Sequence, residues 1–288
     1  MFEWVIAPFL DFGFMRRALA ACFAIAIGCG PIGVLLVLRR MSLVGDAMSH
    51  AILPGAALGF LIAGNSLFHL SIGGFVAGLA VALLSGLVTR ITPLREDANF
   101  AAFYLISLAT GVLIVTLHGS NVDLMHMLFG SILAVDNTSL LLLAAIAAIT
   151  MLVLTLMYRP LIFECFDTRF MRAVGTRGWM YHFLFLTLVV LNLVGGFQAL
   201  GTLMAVGLVI LPATAARLWA ATIPGLFLTA SAIIVFSGIT GLLISFHADV
   251  ASGPAIILVA GACYVLSLLL GRRGGIIPEA LRRQHLTG

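Results

Sequence analysis

Apolar runs of roughly twenty residues recur from one end of the chain to the other, separated by short polar stretches. Nine can be drawn, at about 14–38, 45–64, 70–89, 98–118, 138–158, 179–197, 199–216, 223–246 and 252–271. A helix rises about 1.5 Å per residue, so twenty residues cross about 30 Å of hydrocarbon. The pattern predicts an all-α, polytopic transmembrane helix bundle in one domain over 1–288, with spans within about 14–271 and a tail at 272–288. Segment 199–216 is rich in Gly and ends near Pro212; a broken or re-entrant helix there would leave eight crossings rather than nine.

Composition agrees with this pattern. Of 288 residues, 62% are hydrophobic and 9% charged, and the mean hydropathy is +1.20. A soluble domain carries about 25% charged residues. The N-terminus, MFEWVIAPFLDFGFMRR, lacks both a basic leader and a small-residue cleavage site, so no cleaved signal peptide is expected. Cys22, Cys29, Cys165 and Cys263 fall at unrelated positions and read as small packing residues, not as a disulfide framework.

Charge orients the bundle. All fifteen basic residues are Arg, and with alternating passage every one except Arg16 and Arg17 falls on the same side. The positive-inside rule makes that side cytoplasmic. It holds the loop 159–178 and the C-terminal tail, and nine crossings place the N-terminus outside, although Arg16 and Arg17 alone would pull it in. The Arg residues are dispersed as single or paired loop charges, so the net charge of +4 is no nucleic-acid signal.

Two ionisable residues stand inside a span. Asp46 and His50 lie four apart in RRMSLVGDAMSHAILPGAALGFLIAG, so on a helix they share a face. A charge at the centre of a bilayer costs about 2.5–3.5 kcal/mol on insertion scales, which makes such a residue a functional candidate by default. A carboxylate beside an imidazole is a workable ligand pair for a divalent first-row metal. The bland reading is a hydrogen-bonded pair that locks helix packing. Pro54 and Gly55 follow directly, and backbone carbonyls freed there are tolerated where they line a cavity.

Two further stretches carry candidate roles. The inward loop RPLIFECFDTRFMRAVGTRG (159–178) mixes an amphipathic stretch with Glu164, Asp167, Arg169 and Arg172, and turns at Gly175. It suits docking to a soluble partner or to the membrane interface. The stretch SNVDLMHMLFGSILAV (120–135), with Asp123 and His126, reads as an outer gate or as a packed interfacial helix. His69, His118, Asp136, His247 and Asp249 also fall in outward loops. A weak echo, ILPGAALGF at 52–60 and ILPATAARL at 210–218, fits a transporter built from structural repeats.

These motifs, in this order, with LGTLMAVGLVILPATAARL and SGPAIILVAG, resemble the zinc/manganese/iron-type ABC transporter permeases, above all the permease subunit of bacterial high-affinity zinc importers. The similarity runs from about residue 14 to 271 and is most specific in the GD-x-x-x-HA and ILPA-x-x-AR blocks. It implies an ABC-importer permease in the bacterial inner membrane and a second permease copy around a central path. It also implies an extracytoplasmic metal-binding protein and a cytoplasmic ATPase dimer. By the same resemblance Asp46 and His50 contact the passing metal, and the 159–178 loop, centred on Glu164, Phe166, Asp167 and Gly175, contacts the ATPase.

No Walker motif is present, so nucleotide chemistry would lie on a separate subunit. The absence of HExxH and GxSxG motifs argues against an intramembrane enzyme. No permanently bound cofactor is expected; zinc or manganese is cargo, with zinc the first expectation. The rival readings are a proton-coupled secondary transporter using Asp46 and His50 as a proton relay, and an ABC permease for a metal chelate.

Overall fold

The structure, a computed structural model, describes residues 4, 6–64, 66–93, 96–117, 132–166 and 178–278. Among these every regular element is helical. After a short turn at Ala7–Asp11 come α1 (Gly13–Leu38), α2 (Ser42–Ala51), α3 (Leu53–Ala63), α4 (Leu67–Ile91) and α5 (Glu96–Leu117). A 3-10 turn at Ile132–Ala134 leads into α6 (Asn137–Leu156) and α7 (Tyr158–Phe166). Then follow α8 (Gly178–Leu200), α9 (Thr202–Ala216), α10 (Ile223–Ala248) and α11 (Ser252–Leu270). The expected all-α membrane bundle is therefore the observed fold.

α1 is the central post. Its most apolar stretch is 83% buried, against 17% for that of α5, and it packs on α6, α9 and α10. Where apolar side chains are equally at home in lipid, helices associate through close backbone approach at small residues. Gly33 of α1 meets the backbone of α9, since a Cβ there would collide with the Val209 carbonyl. In the α3–α4 hairpin Gly55 and Gly73 face each other in the same way, each backbone carbonyl filling the space a Cβ on the other would need.

Among the described residues eight helical stretches are long and apolar enough to cross a membrane. The seventh drawn segment is not among them: α9 has 15 residues, about 22 Å of helix against about 30 Å of hydrocarbon. It is nevertheless one helix, with Pro212 inside it. It runs alongside α11, with Gly207 against Ile257 near the start of α11 and Trp219, just past α9, donating to Ser267 Oγ at 2.9 Å near its end. The short helix therefore carries the chain from one end of the bundle to the other. The repeat echo does not extend to local structure, because Pro54 starts a new helix whereas Pro212 sits inside one.

Among the described residues, the connections that carry Arg39, Arg159, Arg217 and Arg273 gather at one end. Arg39 lies beside Glu164 and His182, the rings of Tyr158 and Phe227 meet edge-on, and the Arg273 amide donates to the Leu218 carbonyl. At the opposite end Phe12 meets Phe246, Trp4 stacks on His247, and Arg17 Nε donates to the Val135 carbonyl. This is the grouping that alternating passage requires.

Candidate functional site

One span is split in two. α2 ends at Ala51 and α3 starts at Leu53, because Pro54 has no N–H to give the His50 carbonyl and its ring crowds that turn. α5 covers the break. Ser107 Oγ donates to the Ala51 carbonyl at 3.0 Å, and one turn on, Gly111 lies so close to Pro54 that a Cβ would stand 2.9 Å from its nitrogen.

On α2, Val44, Ala47, Met48 and Ala51 are buried, whereas Leu43, Asp46 and His50 point away from that contact. His50 Nε2 lies 3.9 Å from Asp46 Oδ1, with side-chain exposures of 32% and 61%. The spacing exceeds a hydrogen bond, so the two groups are neighbours with their lone pairs uncommitted to each other. Eight residues separate Ser42 from His50, so the imidazole stands about 12 Å along the helix. Tyr104 of α5 flanks it, with ring centroids 6.3 Å apart. Ser49 Oγ donates to the Asp46 carbonyl at 2.7 Å, tightening this turn. Among the described residues no group of three or more His, Cys, Asp or Glu side chains gathers around a common point. One chain thus brings a single carboxylate and a single imidazole together on this face.

The other sequence candidates are placed as follows. Glu164 lies on α7, but inward: its side chain is 2% exposed and its Oε1 stands 3.9 Å from Arg39 Nη2. Phe163, also on α7, is exposed. Phe166 closes α7; Asp167 and Gly175 lie outside the described residues, as do His118, Asp123 and His126 of the expected outer gate. The remaining residues drawn in outward loops have local tasks and do not converge among the described residues. His69 bonds Ser66, His247 stacks on Trp4, and Asp249 closes α10 in the left-handed region. Asp136 caps α6, and hydrogen bonds from the Ser139 hydroxyl and amide hold its carboxyl below the ordinary value.

Sequence reasoning missed Arg39, His182, Tyr104 and Ser107. Arg39 was legible only as a boundary charge, and nothing local marks its partner His182, 143 residues along the chain.

Comparisons with known proteins place the chain in a family. The ABC 3 transport family pattern matches residues 11–271. The manganese transport system membrane protein MntC of Halalkalibacterium halodurans is 35% identical over 274 residues, covering 95% of this chain and 92% of that protein. The manganese import system permease protein ScaB of Streptococcus parasanguinis is 33% identical, with 98% of each chain covered. The chelated iron transport system membrane protein YfeD of Yersinia pestis is 30% identical, covering 93% and 89%. Among solved structures, PsaBC from Streptococcus pneumoniae in complex with Fab superposes with a TM-score of 0.84 at 29% identity over the full length of both chains. An inward-facing putative metal-chelate type ABC transporter shares the fold, with a TM-score of 0.71 at 15% identity over 91% of this chain and 88% of that one. This multi-pass chain belongs to the ABC 3 transport family of metal transporter permeases.

Proposed function

We propose that this chain is the membrane-spanning subunit of an ATP-driven importer for a divalent first-row metal, with manganese as the first cargo to test, and that Asp46 and His50 hold the ion in transit. The observation that carries the reading is the pair itself: a carboxylate and an imidazole 3.9 Å apart on the open face of a helix within an apolar span. Carboxylate and imidazole suit manganese and iron, and no soft thiolate stands near the pair in the sequence, with Cys22 and Cys29 buried in α1. Zinc was the expectation from sequence; relatives bearing manganese in their names move manganese ahead of it.

An Asp that is 61% exposed in one chain is costly against lipid. A second copy of the chain covering the face of Leu43, Asp46 and His50 removes that cost and brings two further ligands. The resulting set of two carboxylates and two imidazoles binds an ion without thiolate and can open as helices tilt. Import on this reading is powered by a separate ATPase docked to 159–178, with metal delivered from outside by a binding protein, in a bacterial inner membrane.

The test is manganese uptake into proteoliposomes holding the permease with its ATPase. ATP-dependent uptake that Asp46→Asn abolishes supports the reading. Uptake driven by a pH gradient without ATP would replace it with the proton-relay reading, and uptake of a chelate with no competition from the free ion would replace it with a chelate permease.

A further inference from the structure

At the end of the bundle that holds the connections at 39–41 and 217–222, Arg39 is a buried cation joined to three helices. It closes α1 with its side chain 6% exposed. Its guanidinium stands 3.9 Å from Glu164 Oε1 on α7 and 3.1 Å from His182 Nδ1 on α8, and lies 4.5 Å over the Phe185 ring. Arg keeps its protons, so it donates to His182 and Nδ1 accepts. A planar fork serves these three directions together, whereas a Lys ammonium would serve them poorly.

The chain then reverses in a tight stop. The Arg40 amide donates to the Val37 carbonyl at 3.2 Å and the Met41 amide to the Leu36 carbonyl at 2.9 Å, with Arg40 in the left-handed region at φ 60. This is a Schellman motif, a compact hydrogen-bonded helix end. α2 starts at once, at Ser42, and Asp46 follows about one turn later. Position matters here, because the helices that pack on both α7 and α2 are α1 and α8, and Arg39 ties α7 to both of them.

We infer that Arg39 is the positioning residue through which movement of the 159–178 segment reaches the metal pair. Displacement of α7 acts on Arg39 through Glu164, and the stiff turn at 39–41 passes it to α2, so that Asp46 and His50 tilt together. Arg39 touches no metal; it acts through the helix that does. The inference rests on the import reading above and adds to it the route of coupling.

A merely structural ion pair and a relay differ in one variant. Removing one partner leaves a buried charge, but Arg39→Gln with Glu164→Gln removes both. The double variant should insert and melt like wild type, bind manganese in detergent as before, and still support ATP hydrolysis in the complex. Its manganese uptake per ATP hydrolysed should fall by at least about fivefold, the low end of usual coupling strengths. An unchanged ratio would overturn the relay. Should the double variant fail to insert, Arg39→Lys serves, because it keeps the charge opposite Glu164 and loses the fork. The same fall is expected, and an unchanged ratio in the stable Arg39→Lys protein overturns the inference equally. Wild-type complex without ATP-dependent manganese uptake would bring down the import reading and this inference with it. Normal import by wild type and normally coupled variants would bring down the relay alone.

Discussion

His50 Nε2 and Asp46 Oδ1 stand 3.9 Å apart, one helical turn from each other, on a face that the single chain leaves open. The separation is too long for a hydrogen bond that locks packing and short enough for both groups to reach one ion.

If both contact the passing ion, Asp46→Ala and His50→Ala should each abolish manganese uptake, and the double change should add little, because residues acting as one unit are strongly non-additive. Asp46→Asn keeps the shape without the charge and should fail nearly as badly. A packing role predicts instead that Asn is tolerated and that the Ala variants lose thermal stability. Uptake by well-expressed, detergent-stable Asp46→Asn protein decides, and wild-type activity would end the ligand reading.

Glu164 and Gly175 should separate two effects within one loop. Glu164→Ala leaves Arg39 in a buried site without its carboxylate, a loss of about 3–5 kcal/mol for such pairs, so its thermal midpoint in detergent should drop sharply. Gly175→Pro, in the turn expected from sequence, should leave the midpoint near wild type and weaken ATPase pull-down by removing a backbone donor. Full ATPase retention by Gly175→Pro would leave that turn without a docking role.

Sidedness has a direct check in a background with Cys22, Cys29, Cys165 and Cys263 replaced. Asn137→Cys, at the exposed start of α6, should react with an impermeant thiol reagent in intact cells. Ala221→Cys, in the exposed connection before α10, should react only after the cells are opened. The reverse labelling would invert the membrane orientation.

Gly55→Ala probes the α3–α4 crossing. A methyl there meets the Gly73 carbonyl, and backbone cannot move aside as a side chain can, so a loss of about 1–3 kcal/mol is expected. Gly64→Ala makes a useful contrast: nothing lies within 4 Å of its Cβ position, but its φ of 62 belongs to the left-handed region, so its smaller penalty is backbone strain alone. Equal thermal midpoints for Gly55→Ala and wild type would show that the two helices do not cross that closely.

Eight bilayer-length helices among the described residues were legible in the sequence because span length is a local property: a run of apolar residues long enough for the bilayer declares itself without reference to its neighbours. The Asp46–His50 face was legible for the same reason, since helix geometry alone brings i and i+4 together. Family motifs extended that reading to a metal permease, and the family match agrees. The depth that the short α9 covers, the partners of Arg39 and the cover that Tyr104 and Ser107 give the helix break were decided by tertiary structure. In a chain that is 62% hydrophobic, lipid-facing and core-facing positions are chemically alike, and helix neighbours are chosen by close contacts between small residues such as Gly33 and Gly55. Such contacts leave no periodic trace, so Glu164 reads as a loop charge in the sequence and becomes the buried partner of Arg39 only when α7 packs against the end of α1.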